Sequence, residues 1–569
     1  MIILLERKMK LNFKYGQYFV IAILLLVTSC SKSIDGLIED ADINRSFIPT
    51  NLKARTSVDS VIITWNLPVL ASGKKYNYTV DVSTDSLFRN IDFTKVVDTT
   101  GITILEPTLA LATRYFTRVK VNPYKDAGES RYLASVGAFS INGQQYLKVI
   151  RDFEISKSSV LLHWFVNTAT AGVDKITVTP TAGGAATEIT LSGADAQSGQ
   201  KLITGLSADM NYRIQLSAAG KSKGIVTFKT SPDIVYTTTI TPASDLAAVL
   251  TAAADGDIIG LTPGTYNLTS LFNLVNKTVS IRSTSNNPDD TKIKLREFSL
   301  VGDGAGVTFA GLDIDGNYSG TSFGAQFLQL KGSSTANNAA ATFKNITLDN
   351  CNIHDFTRCF FLGNLGAAVN DQKMGNFSIN NCKVYNIDRL STGTYYNFSM
   401  EKLAINSFSI RKSTFYAVGQ GMVNMSTNGV VTTAIPVVTI DYCTFNNTGG
   451  GSGKQLFLDA NANRIAFSFT NNIIANTPIA GMLAGSYRAT NTTTGNIRSF
   501  SNNNYFKLFS NLSGGVLPLT GLEQIGNYQI DLGWVPSTTS FSLAGLPADS
   551  PLLKASRSGS AVGDPRWAY

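Results

Sequence analysis

The sequence predicts an all-β protein, with two small sandwiches of short strands followed by a long solenoid of stacked parallel coils. Three observations carry this reading. Apolar residues alternate with period two over many short stretches separated by turn residues. The second half of the chain repeats itself at steps close to 30 residues. Charged residues make up only 15% of 569 positions, while Gly, Asn, Ser and Thr are abundant, so neutral polar groups cover the surface. At 43% hydrophobic the chain is not disordered, and its length calls for several domains.

Composition also excludes chemistry. There are two histidines, His163 and His354, so a Ser-His-Asp triad or a His-rich zinc site has little to build on. The five cysteines, at 30, 351, 359, 382 and 443, form no CxxC pair. The formal charge of +8 is spread along the chain without a dense Lys/Arg run, which argues against a nucleic-acid partner.

Residues 1–29 read as an export signal. Arg7, Lys8, Lys10 and Lys14 precede an apolar run from Phe19 to Val27. That run is nine residues long, and a membrane span needs about 20. The following "LVTSC" resembles a bacterial lipobox, which implies cleavage before Cys30 and acylation of its sulfur. Residues 30–50 form a tether made acidic by Asp35, Glu39, Asp40 and Asp42. The acidic residues resemble the surface-export signals of Bacteroidota-type lipoproteins; a solvated linker accounts for them equally well.

The first sandwich spans 51–141. Val58, Val61, Ile63 and Trp65 alternate with polar partners on one strand, Tyr76, Tyr78, Val80 and Val82 on another, and Tyr115, Thr117, Val119 and Val121 on a third. The second spans 146–231 and places Trp164 where Trp65 stands, with His163 expected to face outward. Leu111 with Tyr115, and Leu206 with Tyr212, resemble the tyrosine corner of fibronectin type III modules. That resemblance implies spacers or binding modules and carries no active site.

The solenoid spans 236–530. One inward position recurs at Leu348, Ile379, Ile410, Ile440, Phe469 and Phe500, in steps of 31, 31, 30, 29 and 31. Three residues later come Cys351, Cys382, Ser413, Cys443, Asn472 and Asn503, a row of small interior side chains in which a Cys351–Cys382 bridge between adjacent coils is sterically allowed. Asn350, Asn381, Asn471 and Asn502 sit at turns, where Asn tolerates the left-handed backbone. A single coil cannot bury its own face, so coils must stack. The first coil follows a short amphipathic helix, capped by Thr241 or Ser244 and running to Ala254, which covers the solenoid's open end. Ile258-Ile259 begins the first strand and Pro263-Gly264 makes a turn.

These repeats resemble the right-handed parallel β-helix of pectate lyases, and "DGDIIGLTPGTY" resembles the N-terminal cap of extracellular β-helix polysaccharide enzymes. The closing segment 531–569, with its "GDPRW", resembles the end of uncharacterised Bacteroidota lipoproteins that join fibronectin-like modules to a pectate-lyase-like β-helix. The resemblance implies lipid anchoring to the outer membrane at the cell surface, a polysaccharide partner and neighbouring glycan-uptake proteins.

Two mechanisms occur on that fold. Inverting glycosidases need adjacent carboxylates, and their Asn-Thr-Asp, Asp-Asp and His-Gly motifs are absent in place; Asp289-Asp290 reads as a turn. Uronate lyases need a Lys or Arg base and a cation to neutralise the carboxylate. Arg358 and Arg389 follow Cys351 and Cys382 at equal offsets, with Gln420 next after Ser413, and are expected to stack on adjacent coils as catalytic cations. Lys373, Lys402 and Tyr396 stand behind them, the last in an aromatic loop at 390–403. The opposing reading is a solvated face paired with Asp355 and Asp388. No cofactor is assigned; Ca²⁺ would enter only with lyase chemistry, and the scattered carboxylates set no site for its six to eight oxygens. The functional expectation is an exported protein engaging a polysaccharide, with a uronate polymer as the substrate class and β-elimination as the reaction if catalytic. The alternatives are a non-catalytic glycan-binding protein and a structural adhesin or stalk.

Replacing Cys30 with Ala is expected to move the protein from the detergent-soluble membrane fraction to the aqueous fraction and to abolish incorporation of radiolabelled fatty acid.

Overall fold

The computed structural model describes residues 45–67, 73–106, 108–427, 435–490, 497–547 and 549–569. The export signal, Cys30 and most of the tether lie outside the described residues. The chain divides into two compact units, one running to Gln145 with Ser217–Ile225 added, the other comprising Tyr146–Leu216 and Val226–Tyr569.

The first unit holds the first sandwich. Thr50–Thr56, Ser60–Asn66 and Gly101–Leu105 form one antiparallel sheet, and Phe93–Val97, Tyr78–Ser83, Phe116–Val121 and Leu133–Ala134 form the other. The inward residues Val61, Ile63, Trp65, Tyr78, Val80, Val82, Tyr115, Val119 and Val121 are buried as their alternation predicts. The tyrosine corner is formed: Tyr115 Oη accepts from Ala110 N at 3.0 Å. In the second sandwich Tyr212 Oη accepts from Ser207 N at 2.9 Å, and Trp164 is buried.

His163 departs from its expected outward position. Its Nε2 lies 2.7 Å from Glu154 Oε1, and the ring of Tyr569 sits 5.3 Å away. The C-terminal residue covers the strand face on which alternation places His163, and burial pushes its imidazole below its ordinary range.

Beyond the second sandwich, about eight parallel coils stack into a solenoid with three ladders. In one representative coil, Ile346–Asp349 belongs to the first ladder, Asn352–Phe356 to the second and Cys359–Leu362 to the third. The inward residue of the first ladder is in register through every coil, from Ile259 through Ile281, Phe309, Leu348, Ile379, Ile410, Ile440 and Phe469 to Phe500. All of these are buried in one continuous core. The capping helix, Leu246–Ala252, buries Leu246 and Leu250 at the end of that core. Its N-cap is Asp245, which accepts from Ala248 N at 3.1 Å, rather than Thr241 or Ser244. A carboxylate there also complements the helix's positive end.

The corner between the first and second ladders has one backbone solution. Asn350, Asn381, Asn471 and Asn502 all take positive φ, between 50° and 59°, and Lys412 and Tyr442 are held in the same conformation. The next residue's N–H is directed along the solenoid axis and is satisfied by the side chain one coil on. Cys351 N donates to Cys382 Sγ, Cys382 N to Ser413 Oγ, Cys443 N to Asn472 Oδ1 and Asn472 N to Asn503 Oδ1. Cys351 and Cys382 are free thiols, as are Cys359 and Cys443. Burial pushes the Cys359 thiol up to about 12 and those of Cys382 and Cys443 well above their ordinary value.

The closing segment runs along the outer face of the second ladder. Trp534, Phe541, Leu543, Leu552 and Val562 pack on Ile473, Ala475 and Phe506. Asp564 accepts from Thr414 Oγ1 at 2.6 Å, and Trp567 Nε1 donates to the same hydroxyl at 2.7 Å.

Phe398, fully buried, touches the rings of Phe360, Phe377 and Phe408 at centroid distances of 4.9, 5.9 and 4.7 Å. Phe398→Ala is expected to cost about 3–5 kcal/mol, read as a lowered denaturant midpoint at unchanged slope.

Candidate functional site

The third ladder carries the most extended polar strip. Leu328, Phe361, Phe398, Val423 and Leu458 are in register and point into the core. Alternation therefore turns the following residue away from the core in each coil: Gln329, Leu362, Ser399, Asn424 and Asp459, continued by Arg488 and preceded by Ser299; all but Arg488 are buried beneath neighbouring side chains and loops.

At one end of the strip, Glu297 accepts from Gln329 Nε2 at 2.6 Å and from Gln326 Nε2, with Lys331 Nζ 3.6 Å away. Arg358 donates to Gln326 Oε1, and its guanidinium lies 5.0 Å from the centre of the Tyr395 ring.

At the other end, Asp459 receives both Nε and Nη2 of Arg488 at 2.7 Å. Tyr396 Oη donates to Asp459 Oδ2 at 3.4 Å and accepts from Gln455 N at 2.8 Å. Lys454 Nζ lies 4.9 Å from the Tyr396 ring centre and donates to Thr394 O at 2.6 Å. Asn424 Nδ2 donates to Glu401 Oε1 at 2.8 Å. Burial pulls the Lys454 ammonium below its ordinary range and pushes the Glu401 carboxyl above its own. Burial likewise holds the Tyr396 phenol protonated. An amine biased toward its neutral form and a carboxyl biased toward its acid form are the equipment of proton transfer at neutral pH.

The structure brings Arg358 and Tyr396 to this strip and leaves the other expected residues elsewhere. Phe356 pairs with Ile387, 31 residues on, but Phe361 pairs with Phe398, 37 residues on. Six additional residues in that coil shift the register, so Arg358 faces Tyr395 and does not stack on Arg389, which is exposed. Gln420, expected third in that row, is buried and donates to Asp388 Oδ2 at 2.9 Å and Gly393 O at 2.8 Å, fastening the inserted loop. Asp388 also accepts from Thr392 N and Gly393 N, so it serves the loop rather than Arg389. Lys373 is exposed on Gln372–Asn380, beside Thr342 and Ala404, in the first ladder's sheet. Lys402 donates to Gly366 O at 3.0 Å and holds a neighbouring loop. Tyr396 is only 3% exposed, so it orders Asp459 and Gln455 rather than meeting a ligand directly.

Lys454, Arg488, Asp459, Glu401 and Asn424 escaped selection as site residues. Along the strip the steps from Gln329 are 33, 37, 25, 35 and 29, too irregular to align by eye.

A second, largely buried cluster lies on the earlier coils of the second ladder. His354 Nε2 is 2.9 Å from Asp313 Oδ1 and its Nδ1 is 2.7 Å from Asp355 Oδ2, while Lys292 Nζ is 3.0 Å from Asp313. Tyr385 stacks on His354 at 4.6 Å, and Tyr416 on Tyr385 at 4.9 Å. Asp315, His354 and Asp355 place ligand atoms within 4.8 Å of one another. Both ring nitrogens are already engaged by carboxylates, and burial, which alone lowers the imidazole's proton affinity, is outweighed by those bonds; the value rises to about 9. The trio forms an ion-pair network around the His354 ring.

Several known proteins resemble parts of this chain. A domain of unknown function, DUF4957, matches residues 264–418. No match is found among curated proteins. Among solved structures, a two fibronectin type-III domain segment from chicken tenascin is similar at 16% identity, covering 32% of this chain and 99% of that segment, with a TM-score of 0.16. The PL6 family alginate lyase AlyGC is similar at 15% identity, covering 60% of this chain and 45% of the lyase, with a TM-score of 0.33.

Because the folded His354 value stands above the unfolded one, its stabilisation is complete below about pH 6.5 and is lost as pH rises through about 9. Wild type is expected to lose on the order of 3 kcal/mol across that window relative to His354→Gln, measured by urea unfolding at each pH.

Proposed function

We propose that this protein is exported, is anchored by lipid at Cys30 to the outer membrane facing the cell exterior, and engages an extracellular uronate polymer along the third ladder. The supporting observation is that Lys454, against the Tyr396 ring, and Glu401, bonded to Asn424, stand at one end of a polar strip that crosses successive coils, their proton affinities displaced in opposite directions by burial. A strip parallel to the solenoid axis suits an extended polymer, since each coil advances by one strand spacing, about 4.8 Å.

In the catalytic form of this reading the neutral amine of Lys454 takes the proton at C5, beside the substrate carboxylate. The C5–H electrons form the C4=C5 double bond as the C4–O bond breaks, and Glu401 returns a proton to the departing oxygen. Arg488 supplies positive charge for that carboxylate, whose enolate-like charge grows in the transition state, and Arg358, four coils away along the strip, meets the carboxylate of a more distant sugar. Asp459 and Tyr396 position Arg488 and the Lys454 strand.

A second reading, non-catalytic glycan binding, draws support from Arg488 itself: its guanidinium is already matched by Asp459 in a two-point contact, which suits holding a neutral sugar face better than neutralising a carboxylate.

The chain from residue 31 onward, incubated with pectin, alginate and chondroitin with and without calcium, is expected to release unsaturated uronate absorbance. Lys454→Met should lower that rate by about 10²-fold or more, while Arg389→Ala leaves it unchanged. Retardation in affinity gels without absorbance would instead establish the binding protein, and neither signal would leave a stalk.

A further inference from the structure

A separate cleft of about 790 Å³ opens within the second unit, between the second sandwich and the solenoid. Phe153, Ser158 and Ser231 line it from the sandwich side, and Tyr236, Arg282, Asn352 and Lys383 from the solenoid. It has no part in the strip on the third ladder, because Asn352 and Lys383 belong to the second.

Two side chains on its wall lack partners. Asn352, 6% exposed, donates its Nδ2 to Asp289 Oδ1 at 3.3 Å, which fixes the amide's orientation and leaves the buried Oδ1 without a donor. Lys383 is half-buried, and its ammonium makes no hydrogen bond or ion pair among the described residues. The charges that act on it are Arg566, which opposes its protonation, and Asp289, Asp313 and Asp564, which favour it; Asp289, on the cleft's lining, accepts from Asn352 Nδ2. Asp313 is taken by His354 and Lys292, Asp564 by Thr414, and Arg566 by Asn381 O at 2.7 Å.

Asn352 and Lys383 are in-register neighbours on adjacent coils, so their side chains leave the wall about one strand spacing, roughly 4.8 Å, apart. A buried acceptor without a donor is costly, and a cation taken from water without an anion is costly too. One ligand relieves both if it carries a hydroxyl beside an anionic group. Arg282, also on the cleft's lining, adds a second cation, its Nε held by Ser280 Oγ at 2.8 Å. Serines and asparagines at 156, 158, 231, 285, 286 and 287 supply further neutral hydrogen-bonding groups.

We propose that this cleft is a second carbohydrate site, which binds a short acidic saccharide with its carboxylate on Lys383 and a hydroxyl on Asn352. The choice of an acidic sugar rests on the uronate reading above; the site itself does not. Its role would be to hold a chain end or released fragment away from the third ladder.

Titration calorimetry with trigalacturonate and with neutral galactotriose separates the two sites. It is run on the chain from residue 31 carrying Lys454→Met and Arg488→Ala, so that the strip is disabled. Trigalacturonate should still bind with one site, and galactotriose at least tenfold more weakly. Adding Lys383→Met should weaken trigalacturonate at least tenfold. Adding Ser158→Trp, which fills the cleft from the sandwich side where the hydroxyl makes no bond, should abolish it. Melting temperature reports whether each variant folds. Equal affinity for the two sugars, or binding indifferent to both Lys383→Met and Ser158→Trp, overturns the proposal. Loss of polymer cleavage in the strip variants, with trimer binding intact, bears on the third ladder alone.

Discussion

Everything in the solenoid depends on keeping each coil in register with the next at the corner between the first and second ladders. The chain there must turn through a left-handed residue and still satisfy the N–H that follows. In this protein the following N–H finds the sulfur, hydroxyl or amide oxygen one coil away, so the corner of each coil is completed by its neighbour. The small side chains of that row are therefore chosen by hydrogen bonding as well as by space. Cysteine fits because a buried thiol is a small hydrophobe with a weak acceptor. Toward the C-terminal end the same place is held by Asn472 and Asn503, whose amides also donate to carbonyls of the preceding coil. An isolated coil would have none of these partners, which is the physical reason that such coils stack or do not form.

A fixed corner permits variation elsewhere. From Phe309 onward the path from the first to the second ladder is the same length in each coil, whereas the connections into and out of the third ladder vary. The six-residue insertion near 388–397 brings Tyr395 over Arg358 and Tyr396 beneath Lys454, while Asp388 and Gln420 pin it from below. The third ladder can thus carry clustered polar groups without disturbing the core, as loops on a rigid scaffold commonly do. The closing segment uses the second ladder instead, covering its later coils with an apolar layer and reaching the second sandwich through Tyr569, whose hydroxyl donates to Val149 O.

How legible each part was follows the same division. The inward row from Leu348 to Phe500 could be read because its spacing is set by the constant corner and two apolar positions per coil. The Asn turns could be read because positive φ favours that residue, and the tyrosine corners because Tyr115 and Tyr212 need only a local partner. Extending that regular step past Ile387 produced the false pairing of Arg358 with Arg389. Lys454 and Arg488 were hidden for the same cause, since the third ladder's steps range from 25 to 37. His163 was misjudged because alternation says which way a side chain points but not what later segment arrives to cover it.

The sequence by itself determined the architecture: the order of modules, the stacking of coils, the inward row and the helix that caps it. These rest on local periodicity and on residues whose conformational preferences act within a few positions. The tertiary structure alone decided which polar side chains meet. Arg488 reaches Asp459 across 29 residues, Tyr396 reaches Asp459 across 63, and Tyr569 reaches Glu154 across 415. Such meetings are set by accumulated loop lengths and by long-range packing, and neither leaves a periodic trace in the chain.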